Sequence, residues 1–167
     1  MAHDASTSDH RQSPIMLALP DIRLATPADA PDIARMSRDN IEHGLPWSWT
    51  AARVMQAIRD ASTNVAVAVP RQRLQAFGIM QYADDDAHLA LLAVQPLMRH
   101  QGLGRGLLVW LEQSARVAGI RRVRLEARAD NHHAIRFYER QGYVRVGLAA
   151  GYYEGVIDAV KLRKMLT

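Results

Sequence analysis

The sequence predicts a single α/β domain whose mixed, mostly antiparallel central sheet contains one parallel pair and is flanked by helices. Three observations carry this expectation. Short apolar runs alternate with stretches of helical periodicity in the order strand, two helices, three strands, helix, strand, helix, two strands. One connection, from Leu89 to Ala127, passes through a helical segment between two strands. A crossover of that kind joins parallel neighbours, whereas the tight turns elsewhere join antiparallel ones. Finally, 167 residues, 49% hydrophobic and 23% charged, suffice for one substantial core and call for no second one.

The elements follow from local signals. Residues 1 to 18, polar and aperiodic, read as a flexible tail ahead of a domain spanning 19–167. Ile22–Ala25 is the first strand. Thr26 and Pro27 then suit the cap and first turn of a helix running to about Asn40. A loop with Pro46, Trp47 and Trp49 leads to Thr50, the cap of a second helix ending near Asp60. Val65–Val69 and Leu74–Tyr82 form a hairpin, and Asp84–Asp86 a solvated turn before the strand Leu89–Val94. The helix from Leu103 to about Ala118 buries Leu103, Leu107, Leu108 and Leu111 and stops at Gly119. Val123–Ala127 is a strand, Asn131–Gln141 a helix closed by Gly142, and Tyr143–Leu148 and Asp158–Met165 a last strand pair around a Gly151-Tyr152-Tyr153 loop.

Composition excludes several function classes. With no cysteine there is no disulfide, no Cys-ligated zinc and no thiol-borne intermediate. His132 and His133 lack the spacing of metal ligands, so no metal is expected. No apolar run approaches the roughly 18 residues needed to cross a membrane. Pro14–Leu19 is too short for a secretory core, so a cytoplasmic location is expected. The net charge of +4 invites a nucleic-acid reading, but the arginines are scattered and no nucleic-acid motif or aromatic interleaving accompanies them. A basic surface also suits an anionic nucleotide.

The segment Arg99-His100-Gln101-Gly102-Leu103-Gly104-Arg105-Gly106 lies between a strand and a helix. Glycines there let backbone N–H groups approach an anion at the positive end of the helix dipole, which suits a phosphate or pyrophosphate. A Walker loop is excluded because no Gly-Lys-Ser/Thr follows. A dinucleotide fingerprint fails because Leu107 stands where the third glycine belongs. A protein kinase is excluded by length and missing partner motifs.

The pattern that fits, Arg99-x-x-Gly102-x-Gly104, resembles the pyrophosphate-binding signature of the GNAT family of N-acetyltransferases, which bind acetyl-CoA. A second stretch, Leu125–Asn131 followed by Ala134–Tyr143, resembles the second half of that family's cofactor site, and the element order is the family's over about residues 20 to 165. Leu45-Pro46-Trp47-Ser48, Glu126–Asn131, Tyr138-Glu139 and Tyr152-Tyr153 are similar to the ribosomal-protein alanine N-acetyltransferases. Two departures bear on the acceptor. The tyrosine pair follows Ala149-Ala150-Gly151 instead of a basic stretch, and Gln95 replaces an acidic residue before the proline.

The resemblance implies a GNAT fold and direct acetyl transfer from acetyl-CoA to a primary amine, with a protein or peptide α-amine such as a ribosomal-protein N-terminus as acceptor. A small amine (polyamine, amino acid or antibiotic) and a non-catalytic acyl-CoA-binding module stay open as alternatives, and the chain is expected as monomer or homodimer. Cofactor contacts fall on Leu92, Val94, Arg99 to Gly106, Asn131, Ala134, Phe137 and Tyr138. Leu92 to Val94 would offer a backbone N–H to the thioester carbonyl. Glu126 is the candidate base provided partial burial raises its pKa; from chemistry alone an ion pair with Arg124 or Arg128 is an equal reading. Tyr138 is the candidate acid for the departing thiolate, against a purely packed aromatic beside Phe137. Asn131 either caps its helix or contacts the pantetheine arm, and the resemblance favours the latter. His88 reads as a surface residue and only secondarily as a second base. Trp47, Glu126, Tyr152 and Tyr153 are the candidate acceptor contacts.

Overall fold

The computed structural model describes residues 21–153, 155 and 157–167, so the expected tail lies outside the described residues. Among these, seven strands form one sheet: β1 (Ile22–Leu24), β2 (Thr63–Ala68), β3 (Ala76–Ala83), β4 (Asp86–Val94), β5 (Arg122–Arg128), β6 (Val144–Tyr153) and β7 (Ile157–Met165). Their spatial order is β1-β2-β3-β4-β5-β7-β6, with β4 and β5 parallel and every other pair antiparallel. The helices are α1 (Ala30–Asn40), α2 (Ala51–Arg59), α3 (Leu103–Val117) and α4 (His132–Arg140). The element order and the single parallel crossover match the sequence expectation.

Local chemistry sets the boundaries. A 3-10 turn, Pro27–Asp29, precedes α1, and the Asp29 carboxylate accepts from the Thr26 N–H at 2.7 Å. Thr50 Oγ1 accepts from the Arg53 N–H at the start of α2. Gly119 and Gly142 take left-handed backbone just beyond α3 and α4, as helix-ending glycines do. The Gly151-Tyr152-Tyr153 segment is not a loop but the end of β6. Gly151, at φ +61°, lies in an irregular stretch and donates its N–H to Asp158 at 2.8 Å. The glycine marks a break in the ladder within a strand rather than the strand's end.

Each face of the sheet has its own apolar cluster. Leu103, Leu107, Leu108, Leu111 and Ala115 of α3 join Ile135 and Tyr138 of α4 over one face. Ile33, Ala34 and Met36 of α1, Val54 of α2 and Trp49 cover Val65, Val67, Phe77, Ile79, Leu91 and Ala93 on the other. Each of the fully buried leucines stabilises the fold by about 1.5–3 kcal/mol. Helix α3 crosses β3 so closely that a Cβ on Gly78 would stand 2.7 Å from Leu111 Cδ1. Buried Glu112 ties α3 to β7, accepting from Lys164 Nζ at 3.0 Å and from the Tyr143 hydroxyl at 3.4 Å.

Two irregularities in β4 shape the site. Its register with β3 skips Ala90, and the strand exchanges faces there. Ala87 and Leu89 join the α3 side, whereas Leu91 and Ala93 join the α1 side. Pairing with β5 is limited to Asp86↔Arg122, Ala87↔Val123 and His88↔Arg124. Beyond that rung the two strands run on unpaired and leave an opening in the sheet.

Candidate active site

The turn at the C-terminal end of β4 has the geometry of an anion cradle. His100 at φ +65° and Gly102 at φ +80° both take left-handed backbone, and Gly102 is the N-cap of α3. The first N–H groups of a helix have no partner within it. Among the described residues, those from His100 to Arg105 make no turn or loop bond to a carbonyl outside the helix. Arg99, His100, Gln101 and Arg105 are exposed around them, and Leu103 and Gly106 are buried and anchor the turn. A Cβ on Gly104 would meet Val94 Cγ2 at 3.4 Å and Phe137 Cζ at 3.5 Å. The end of β4, the start of α3 and α4 therefore close together at this corner. Leu92 and Val94 turn their side chains to the α3 core, and Ala134 and Phe137 pack against the same core from α4.

Glu126 stands two residues past the last β4–β5 rung, at the apex of the opening. Its alternate neighbours Leu125 and Ala127 face the α3–α4 cluster, so its side chain lies on the opposite face. There its Oε2 is 2.5 Å from His88 Nε2, with the side chains 11% and 20% exposed respectively. His88 is thus a half-buried partner of Glu126 and not a free surface residue. Arg124 approaches the other carboxylate oxygen at 3.4 Å, while Arg128 turns away to the His43 carbonyl at 2.9 Å. Burial pushes the Glu126 carboxyl up, but the hydrogen bond and charge of His88, then Arg124 and the Tyr152 hydroxyl, outweigh it. The net displacement is downward, opposite to the expected rise.

Tyr138 lies on the other face, in α4, and is 8% exposed. Its ring packs edge-on against Phe137 at 5.1 Å and Tyr143 at 5.6 Å between centroids. The hydroxyl has no hydrogen-bond partner among the described residues. Burial, with Tyr153 nearby, pushes the phenol well above its ordinary value and keeps it protonated. Tyr153 links the two faces: its hydroxyl donates to the Glu126 carbonyl at 3.4 Å. Tyr152 packs edge-on against it at 4.9 Å. Asn131 does cap α4, its Oδ1 accepting from the Ala134 N–H at 3.1 Å. The cap occupies Oδ1 and leaves the Nδ2 donors for a ligand, so the two expected roles are compatible.

The loop after α1 borders this end of β5. Buried Glu42 organises it, accepting from Ser48 N–H at 2.8 Å, the Ser48 hydroxyl, the Ser37 hydroxyl and Trp49 N–H. Trp49 is core, with Arg53 stacked 3.8 Å from its ring, whereas Trp47 is 43% exposed with Arg38 at 5.2 Å. Sequence reasoning missed Glu42 and the His88–Glu126 contact. The first had no signal beyond a glutamate near serines; the second joins residues 38 apart. Asp86, expected in a solvated turn, is instead the first residue of β4, where Arg122 donates to it at 2.6 and 2.9 Å. Among the described residues no metal-ligating cluster occurs, and no helix is long and apolar enough to cross a membrane.

The model of the Acetyltransferase (GNAT) family matches residues 33–143. The [ribosomal protein bS18]-alanine N-acetyltransferase of Escherichia coli is 33% identical over 121 residues, covering 71% of this chain and 80% of that protein. A crystal structure of the Escherichia coli ribosomal-protein-S18-alanine N-acetyltransferase superposes with a TM-score of 0.75 at 27% identity, covering 88% of this chain and 94% of that one. The structure of Ard1 from Thermoplasma volcanium gives a TM-score of 0.80 at 25% identity, covering 88% and 97%. The cradle at Gly102, the opening between β4 and β5 and these likenesses agree: the chain belongs to the GNAT acetyltransferase family and is an N-acetyltransferase.

Proposed function

We propose that the acetyl acceptor is the free α-amine of a protein or peptide, taken up on the Glu126 face of the opening while acetyl-CoA enters along the Gly102 cradle. One observation carries this reading. Glu126 with His88 and the Tyr138 hydroxyl lie on opposite faces of the sheet, and the β4–β5 opening is what separates them. An acetyl thioester threaded there meets a proton-taking group on one side and a proton donor on the other. The N–H groups from His100 to Arg105 hold the pyrophosphate, with Arg99 and Arg105 adding charge. Asn131 Nδ2 and the backbone of Leu92–Val94 receive the pantetheine arm and the thioester carbonyl. Ala134 and Phe137 line that arm.

An α-amine has an ordinary pKa near 8, so a usable fraction is neutral at pH 7, whereas a lysine amine near 10.4 demands more help. As the neutral amine attacks, the thiolate leaves and takes the Tyr138 proton. Burial makes a lasting phenolate costly, and the same dry surroundings raise the basicity of the thiolate. Trp47 on the Glu42-anchored loop and Tyr152 and Tyr153 at the end of β6 flank the acceptor side. The acetyltransferase domain is assigned to residues 19–167, working in the cytoplasm.

The test is CoA release with a panel of short peptides bearing free N-termini, the bS18 N-terminal sequence among them, beside polyamines, amino acids and aminoglycosides. Turnover with α-amino peptides that vanishes on blocking their N-termini supports the reading. Turnover confined to the small amines overturns the acceptor assignment and leaves the acetyl donor intact.

A further inference from the structure

Resting on that reading, the geometry points to His88 as the group that takes the amine proton, with Glu126 as its positioning residue. The hydrogen bond itself fixes the tautomer. An ionised carboxylate only accepts, so the 2.5 Å contact to Glu126 Oε2 places a proton on His88 Nε2 and leaves the lone pair on Nδ1. Among the described residues Nδ1 has no protein partner, and the His88 side chain is 20% exposed. A carboxylate fixing one ring nitrogen so that the other serves as base is the arrangement used wherever an acid–histidine pair activates a nucleophile. The pair sits on the last β4–β5 rung, where the unpaired edges begin.

The balance of the step is simple. An amine N–H bond breaks and the Nδ1–H bond forms, the freed lone pair attacks the acetyl carbonyl, and the carbon–sulfur bond breaks with the thiolate taking the Tyr138 proton. The ring becomes imidazolium beside a carboxylate whose charge does not change, and their hydrogen bond strengthens as that charge arrives. Chemistry also favours imidazole over carboxylate here. Imidazole is in general closer in basicity to an amine than a carboxylate is, and proton transfer is most efficient between matched groups. Several groups share the field of the pair: Gln81, uncharged, opposite His88 on β3; Asp86 on β4 with Arg122 and Arg124 on β5; Lys161 and Arg163 on β7; Tyr152 and Tyr153 on β6.

The experiment is the pH profile of kcat/KM for the full chain with its best amine, for wild type, His88→Gln and Glu126→Gln, with acetyl-CoA binding followed by calorimetry. Gln at 88 can still donate to Glu126 but cannot titrate. His88→Gln is expected to lose about 100-fold or more in kcat, a typical general-base contribution. Acetyl-CoA affinity should stay within about threefold, and the rising limb between about pH 6 and 8 should disappear. Glu126→Gln should keep a limb, moved to lower pH because the imidazolium loses its anion, with a smaller loss of kcat. Imidazole added to His88→Gly should restore part of the turnover. A His88→Gln enzyme that keeps its limb, together with a Glu126→Gln enzyme that loses it, overturns the assignment and returns the base role to Glu126. If wild type acetylates none of the α-amino peptides, the acceptor reading fails instead, and the profiles measured with a small amine still decide the role of His88.

Discussion

The two halves of the sheet are built to different rules. In β2 and the first five residues of β3 all but one residue are buried, because α1 and α2 cover one face and α3 the other. In β5 only alternate residues are buried and in β7 only Ala159, Val160 and Leu162, and none of β5, β6 or β7 contributes to the cluster beneath α1 and α2. That uncovered face carries Arg122, Arg124, Glu126, Lys161 and Arg163 in register across the two strands. Within the sheet the halves are joined by three parallel rungs only. Stability resides where both faces are covered, and the charged chemistry stands where one face is left open, at the seam.

The sharpest way to separate the two is a change at the seam that leaves the packing alone. Tyr138→Phe keeps the aromatic contacts and removes the hydroxyl. Turnover should fall about 10²–10⁴-fold, roughly 3–5 kcal/mol of barrier, with acetyl-CoA binding and thermal stability almost unchanged. Retained turnover with unchanged binding would show that the thiolate finds its proton elsewhere. Next in size is the strut between the halves. Glu112→Ala leaves Lys164 without its anion and should cost about 3 kcal/mol in urea unfolding, toward the low end for a broken buried pair because Lys164 is partly exposed. A loss under about 1 kcal/mol would mean the halves hold together without it.

A smaller effect belongs to the covered half. Gly78→Ala drives a methyl into Leu111 and should cost about 1–2 kcal/mol of stability while leaving the pH profile of turnover in place. The smallest is at the lowest rung. The hydrogen bond from Arg122 holds the Asp86 carboxyl below its ordinary value against the opposing effect of burial, and the charges of Arg122 and Arg124 add to the lowering. A lowered carboxyl contributes stability that is present above about pH 4 and fades as pH falls through the lowered value. Asp86→Asn should therefore lose a small stabilisation at pH 7, converge with wild type at low pH and so flatten the acid limb of the stability curve. An unaltered acid limb would remove the pair from the seam.

The same division explains what could be read in advance. The helix caps at Thr50 and Asn131, the glycine stops at Gly119 and Gly142 and the cradle at Gly102 are local, since their partners lie within a few residues. The face exchange at Ala90 was hidden because Leu89–Val94 is apolar throughout, and a run buried on either side shows no break in alternation. The pairing of His88 with Glu126 depends on the parallel register, which no spacing along the chain reveals. The Tyr152–Tyr153 segment was misread for the opposite reason: a local glycine signal was stronger than the long-range pairing of Tyr153 with Ile157.

The short β4–β5 ladder also gives β4 two clocks. Amide groups alternate in direction along a strand, so those of Leu89–Val94 directed at β3 are locked in an antiparallel ladder, while their neighbours face the gap. By hydrogen exchange the first set should report global unfolding and the second should exchange quickly in the free protein. Slowing of the second set alone would time, residue by residue, the arrival of whatever fills the gap.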